Sequence, residues 1–183
     1  MNTPVRQRMI FANKQELIYP LLKEVVAFIK KKLPGKAAQV VFKAKMIVSE
    51  LLTNSIKHAN DEFTIIELSA NNETFIIKRI DNGKPFNLKG PDGERDVLQW
   101  PLTNSAETPI KIHADQLNGL FAHVVSPYSL KFHAINYTDE AVVFPDISEH
   151  YGLMIICRAS DSFIYELDPA SLKSTFTATI QLH

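Results

Sequence analysis

The sequence predicts an α+β fold in which one sheet is covered by helices on a single face. Two long segments with helical spacing of apolar residues come first, and two runs rich in β-branched and aromatic residues follow them. After an irregular insert, a short helical pattern and two further strand-like runs close the sequence. Strands that cluster, rather than alternate with helices, favour segregated layers. The short turns between them favour antiparallel pairing. At about 150 residues per domain, a length of 183 residues fits one domain better than two.

Taken in order, Val5 to Phe11 reads as a short edge strand. Asn13 and Glu16 have capping-box spacing and predict a helix start. Leu17, Leu21, Val25 and Phe28 then recur at helical intervals. Pro20 predicts a kink or a true start near residue 19, and Pro34-Gly35 ends the element. A second helix is predicted over residues 36–59, with Val40, Ala44, Ile47, Leu51 and Ile56 as its buried stripe. Residues 63–69 and 74–80 read as strands of a hairpin, Asn71-Asn72 supplying a turn with positive φ. Residues 84–147 are less regular, with a short helix at 116–125, a strand at 128–137 and another at 141–144. A helix at 152–160, a strand at 163–167, a turn at Asp168-Pro169 and a strand at 174–182 complete the reading.

Composition narrows the function. Apolar residues make up 45% and charged residues 22%, an ordinary globular mix. Twenty basic and twenty acidic side chains cancel, which argues against a counterion-releasing grip on nucleic acid. Lys30-Lys31-Lys32 falls at a predicted helix end, where cations complement the dipole. No apolar run has signal-peptide form or approaches the ~20 residues of a membrane span, so a cytoplasmic protein without membrane attachment is expected. Cys157, the single cysteine, lies in an apolar run and reads as a buried thiol. His113, His123 and His133 are ten residues apart, a spacing that matches no ligand period on a helix or strand; no metal site is expected from them.

The candidate chemistry lies in Glu50, Asn54 and His58. Steps of four residues drift by about 40° on a helix, so the three share one face, expected to form a rim between helix and sheet. An Asn oxygen is a hard ligand suited to Mg²⁺, which takes its remaining oxygens from water and phosphate. A Glu one turn away can accept a proton. Asp81, at a strand end, can accept from an exocyclic amine, and Gly83 lets backbone approach a ring. Each pattern alone is common on surface helices and turns; their order and spacing together carry the signal.

Glu50-Leu-Leu-Thr-Asn54-Ser-Ile-Lys-His58-Ala59 resembles the N box of the GHKL ATPases, the superfamily of the gyrase, histidine-kinase and MutL ATP-binding domains. Ile80-Asp81-Asn82-Gly83-Lys84-Pro85-Phe86 resembles its first glycine box, D-x-G-x-P-F. The stretch from Tyr151 to Ile156 is similar to its second glycine box, and Thr175-Phe176-Thr177 to the end of its last conserved strand. In its small size the sequence is most similar to the anti-sigma-factor serine kinases of the RsbW and SpoIIAB type. The resemblance covers about residues 10–86 and 148–182. It implies a Bergerat fold, a two-layer α/β sandwich with a mixed, largely antiparallel sheet, and a single histidine kinase-like ATPase domain with a long lid at about residues 87–147. It implies ATP and Mg²⁺ as cofactors, and a sigma factor or an anti-sigma antagonist as partner, with a homodimer one possible assembly. Glu50 is then the general base and Asn54 the Mg²⁺ ligand. Asp81 and Gly83 contact adenine, and Gly152, Ser174 and Thr175 lie at the nucleotide. His58 stays open between a nucleotide contact and a cation at a helix C-terminus.

The sequence departs from the family twice. Its phosphate loop, Ser148-Glu149-His150-Tyr151-Gly152, has one glycine where backbone N–H groups must cradle phosphate. Lys173-Ser174 stands where the family has Gly-Thr. Two functions therefore compete: an ATP-dependent serine/threonine kinase that controls transcription by partner switching, and a degenerate domain that binds proteins without catalysis.

Overall fold

Alternation at period two sets the architecture. In β2 (Thr64–Ala70) and β3 (Thr74–Asp81) every second side chain is buried, and β7 (Ser162–Leu167) and β8 (Ser174–Gln181) repeat the pattern. Leu68, Phe75, Ile77, Phe163, Ala178 and Ile180 thereby make one sheet face apolar. Among the described residues three α-helices bring their buried stripes to it: α1 (Ile18–Lys32), α2 (Ala37–His58) and α3 (Tyr151–Ala159). β1 (Val5–Phe11) opens the chain, and β4 (Ile110–Ala114), β5 (Asn118–Ser126) and β6 (Ser129–Asn136) lie between β3 and α3. The computed structural model describes residues 3–58, 61–88, 98–103, 109–114, 118–137 and 151–183.

The described strands form one sheet in the order β1-β2-β3-β8-β7-β6-β5-β4. Every pairing is antiparallel, so the expected mixed sheet is corrected to an antiparallel one among the described residues. The α+β layering stands: one sheet, helices on one face.

Local expectations were overturned in four places. Asn13 does not cap a helix; it takes φ 40° and donates its Nδ2 to the Asp61 carbonyl at 2.7 Å. A 3-10 turn at Gln15–Leu17 leads into α1 instead, which places Pro20 in the first turn, where a missing N–H costs little. Ile56 leaves the buried stripe and is 36% exposed, while Val48, Leu52 and Ser55 are buried; Ile56 lies about 100° round the helix from Ser55. The β2–β3 turn uses no positive φ at either Asn. Asn71 Oδ1 accepts instead from the Glu73 and Thr74 amides at 2.9 and 2.7 Å, an Asx turn. Finally, the short helix expected over residues 116–125 is β5, a strand paired with β4 and β6. Hairpin partners on both sides override its weak helical pattern. The strand expected at 141–144 lies outside the described residues.

Candidate functional site

α2 presents Glu50 and Asn54 half-buried, one turn apart, with His58 exposed in its last turn. Glu50 and Asn54 face α3. A Cβ placed on Gly152, the second residue of α3, would fall 2.6 Å from Glu50 Oε2, 3.5 Å from its Cδ and 3.8 Å from Asn54 Nδ2. Glycine is required for the helices to approach this closely with the Glu50 carboxylate where it stands. The rim expected between helix and sheet is therefore formed between two helices. Residues about a hundred positions apart in the sequence meet there, and the acid lies beside the first turn of α3, where the helix dipole favours negative charge. Ser148, Glu149 and His150 of the glycine-poor loop lie outside the described residues.

Asp81 ends β3 on the helix-facing side of the sheet and is 5% exposed. Its Oδ1 accepts the Gly83 amide at 2.9 Å, so these two residues are locked in one turn. Its Oδ2 lies 2.5 Å from Arg79 Nη2. Period two puts Arg79 on the same face as Asp81, and Arg79 is also 5% exposed. The pair touches out of hydrogen-bonding alignment, leaving Arg79 Nε and Asp81 Oδ2 without a hydrogen-bond partner. Burial pushes the Arg79 guanidinium below its ordinary value, against the opposing pull of Asp81. The guanidinium also lies over the Phe176 ring, 5.3 Å from its centre.

Ser174 pairs in register with Asp81 and is buried, its Oγ 2.8 Å from the Tyr165 hydroxyl. That hydroxyl accepts the Phe86 amide at 2.9 Å. Burial raises the Tyr165 hydroxyl above its usual value. Phe86 closes over this end of the sheet, its ring 5.6 Å from those of Phe132 and Tyr165 and 5.9 Å from that of Phe176. Trp100 donates its indole N–H to the Phe86 carbonyl at 2.9 Å. Thr175 is not part of this group: the next residue along β8, it points to the opposite face of the sheet.

Glu50, Asn54 and Gly152 thus form one group, and Asp81, Gly83 and Ser174 a second, while Thr175 stands apart. Sequence reasoning missed Arg79 and Tyr165. The signal for Arg79 was available, since the alternation Phe75, Ile77, Arg79, Asp81 puts a cation on the inward face beside the acid. For Tyr165 no signal existed, because its partners come from other strands and a loop.

The remaining candidates lie elsewhere. His123 and His133 stack at 4.5 Å on the β5–β6 hairpin, and burial followed by the neighbouring His123 lowers the His133 value. His113 meets the Tyr151 ring at 6.2 Å. Among the described residues no group of three His, Cys, Asp or Glu side chains is placed to hold a metal. Cys157 is half-buried, and burial raises its thiol. No described helix is long and apolar enough to cross a membrane. No protein-family model matches the sequence, and no curated protein matches it either.

Proposed function

We propose that this chain is a Mg²⁺–ATP-binding regulatory protein of the Bergerat fold. It would act in the cytoplasm on a sigma factor or its antagonist, as an anti-sigma-type serine/threonine kinase. The observation that carries this reading is the convergence of Gly152 on Glu50 and Asn54. The contact sets two polar side chains of α2 against the backbone of another helix rather than in open solvent.

The side chains fit the cofactor. Asn54 offers an amide oxygen of the type Mg²⁺ accepts, and Asp81 with Gly83 forms a fixed acceptor turn at a strand end. Bound Mg²⁺–ATP would supply a transferable phosphoryl group. Asn54 would hold the metal, Asp81 would accept from the base, and Glu50 would take the proton of an incoming hydroxyl. Gly152 would keep Glu50 close to the first turn of α3.

A second reading is favoured by one observation: Arg79 stands on the Asp81 carboxylate. A domain whose base-recognising acid is held internally would bind protein partners without turnover. Calorimetric titration with ADP, with and without Mg²⁺, decides between the two. The first reading expects saturable binding strengthened by the metal. Asn54→Ala should remove the metal-dependent gain and leave metal-free affinity near wild type. Equal losses with and without Mg²⁺ would make Asn54 structural, and no binding at millimolar ADP would leave the interaction module.

A further inference from the structure

The outer edge of β1 carries no strand among the described residues. An edge strand presents alternate N–H and C=O groups outward, a template for another chain. Beside this edge runs a groove of about 370 Å³, floored by Phe28 of α1 and bordered by Val5, Arg6, Lys31 and Lys32. A second hollow of about 210 Å³ continues it past Val5 and Lys32 towards the β2–β3 turn. Lys31 and Lys32 are exposed, as is Arg6. Among the described residues Glu24 is the one acid lining either hollow. Arg8, further along β1, is also exposed and reaches Glu67 only at 3.7 Å.

We propose that this edge and groove form a docking site for an extended acidic segment of a partner protein. The segment would add as a strand to β1 and lay its carboxylates against Arg6, Lys31 and Lys32. The main-chain ladder supplies affinity and the flanking cations supply selectivity. The charges also select against a second copy of this chain. An antiparallel β1–β1 pair centred on Gln7 sets Arg6 opposite Arg8, and one centred on Arg8 sets that residue opposite itself; like charges directly opposed are destabilising. The site lies on the outer edge of the sheet and does not depend on nucleotide binding.

The test is an amide-resolved NMR titration of the full chain with a capped peptide alternating valine and glutamate, against the same peptide with lysine for glutamate. The glutamate peptide should shift amides of β1 and the last turn of α1. It should bind at least roughly fivefold tighter than the lysine peptide, and weaken as salt rises from about 0.05 to about 0.3 M. Lys31→Glu with Lys32→Glu, both at exposed positions, should abolish the preference while the spectrum stays dispersed. The salt series on the unmodified protein tests the charge argument without any variant. Equal binding of both peptides overturns the proposal, as do shifts centred elsewhere or no saturable shift. Movement of the same amides on simple dilution, with a sedimenting dimer, would make the occupant a second copy and also overturn it.

Discussion

Asp81 is held from two sides, by the Gly83 amide and by Arg79, which changes what its replacement does. A carboxylate on an open rim could be exchanged for an amide at little cost. This one is 5% exposed and neutralises a guanidinium that is equally buried. Removing one member of a buried pair typically costs about 3–5 kcal/mol. Asp81→Asn should therefore lose about 3 kcal/mol in urea unfolding, before any nucleotide is added. Replacing both partners by leucine should recover most of that loss, since a well-packed apolar pair of similar volume is often neutral. An Asp81→Asn protein as stable as wild type would show that the pair contributes nothing.

Glu50 has the opposite character, half-buried and against a backbone. Under the proposed phosphoryl transfer, Glu50→Gln should spare nucleotide binding and lower transfer by roughly 10²–10⁴, measured as transfer to a protein antagonist after wild-type transfer is established. Gly152→Ala gives an independent check. The new Cβ displaces the flexible end of Glu50 rather than backbone, and alanine favours the helix by up to about 1 kcal/mol. Stability should hold or rise while transfer falls. Transfer unchanged in both variants would remove the general-base role.

Among the elements, those with strong period and clear punctuation were legible in the sequence, and those defined by partners were not. The bounds of β1 read directly. Those of α1, α2, α3, β2, β3, β6, β7 and β8 came within a few residues, because apolar spacing and breakers such as Pro34-Gly35 act locally. β5 was misread because its strand identity comes from pairing with β4 and β6, which no local signal encodes. At the candidate site, the order Glu50, Asn54, Asp81, Gly83 could be read. The approach of α3 to Glu50 could not, since it depends on helix packing.

The β7–β8 connection carries one local conflict with its sequence. Leu172 takes φ 57°, exposed, inside a loop closed by its own amide on the Asp168 carbonyl at 2.8 Å. A left-handed conformation strains a residue with a Cβ by about 1–2 kcal/mol, and Asn tolerates it better. Leu172→Asn should raise the melting temperature by roughly 2–4 °C, as about 1 kcal/mol does in a protein of this size. A lower melting temperature would show that the leucine side chain contributes more than its backbone loses.

At the scale of the molecule, the described strands between β3 and α3 belong to the sheet. β4, β5 and β6 extend it beyond β7, and Arg158 of α3 reaches the Asn118 and Asn136 side chains at the end of that extension. The face that carries the helices is continuous across it, with Leu120, Ala122, Leu130 and Phe132 in the same core as Phe163 and Phe176. A change in the β5–β6 hairpin therefore reaches the Phe86 and Tyr165 group through Phe132, whose ring lies against those of Phe86 and Phe163, and through Leu130, paired in register with Tyr165.

The order of the strands also has a temporal side. β8 comes last of the described strands in chain order, yet it lies inside the sheet between β3 and β7. While the chain emerges from the ribosome, β1, β2 and β3 can join as one ladder and β4 to β7 as another, but no described strand pairing links the two sets until residues 174–181 are free. Until then β3 and β7 are both naked edges, open to partners from other chains. A chain ending at Lys173 should stay expanded and sediment as aggregates, while the chain with β8 refolds in a single cooperative step whose slow event is capture of β8. A compact, monomeric product from the shortened chain would mean that the two ladders fold independently and that β8 merely joins finished halves.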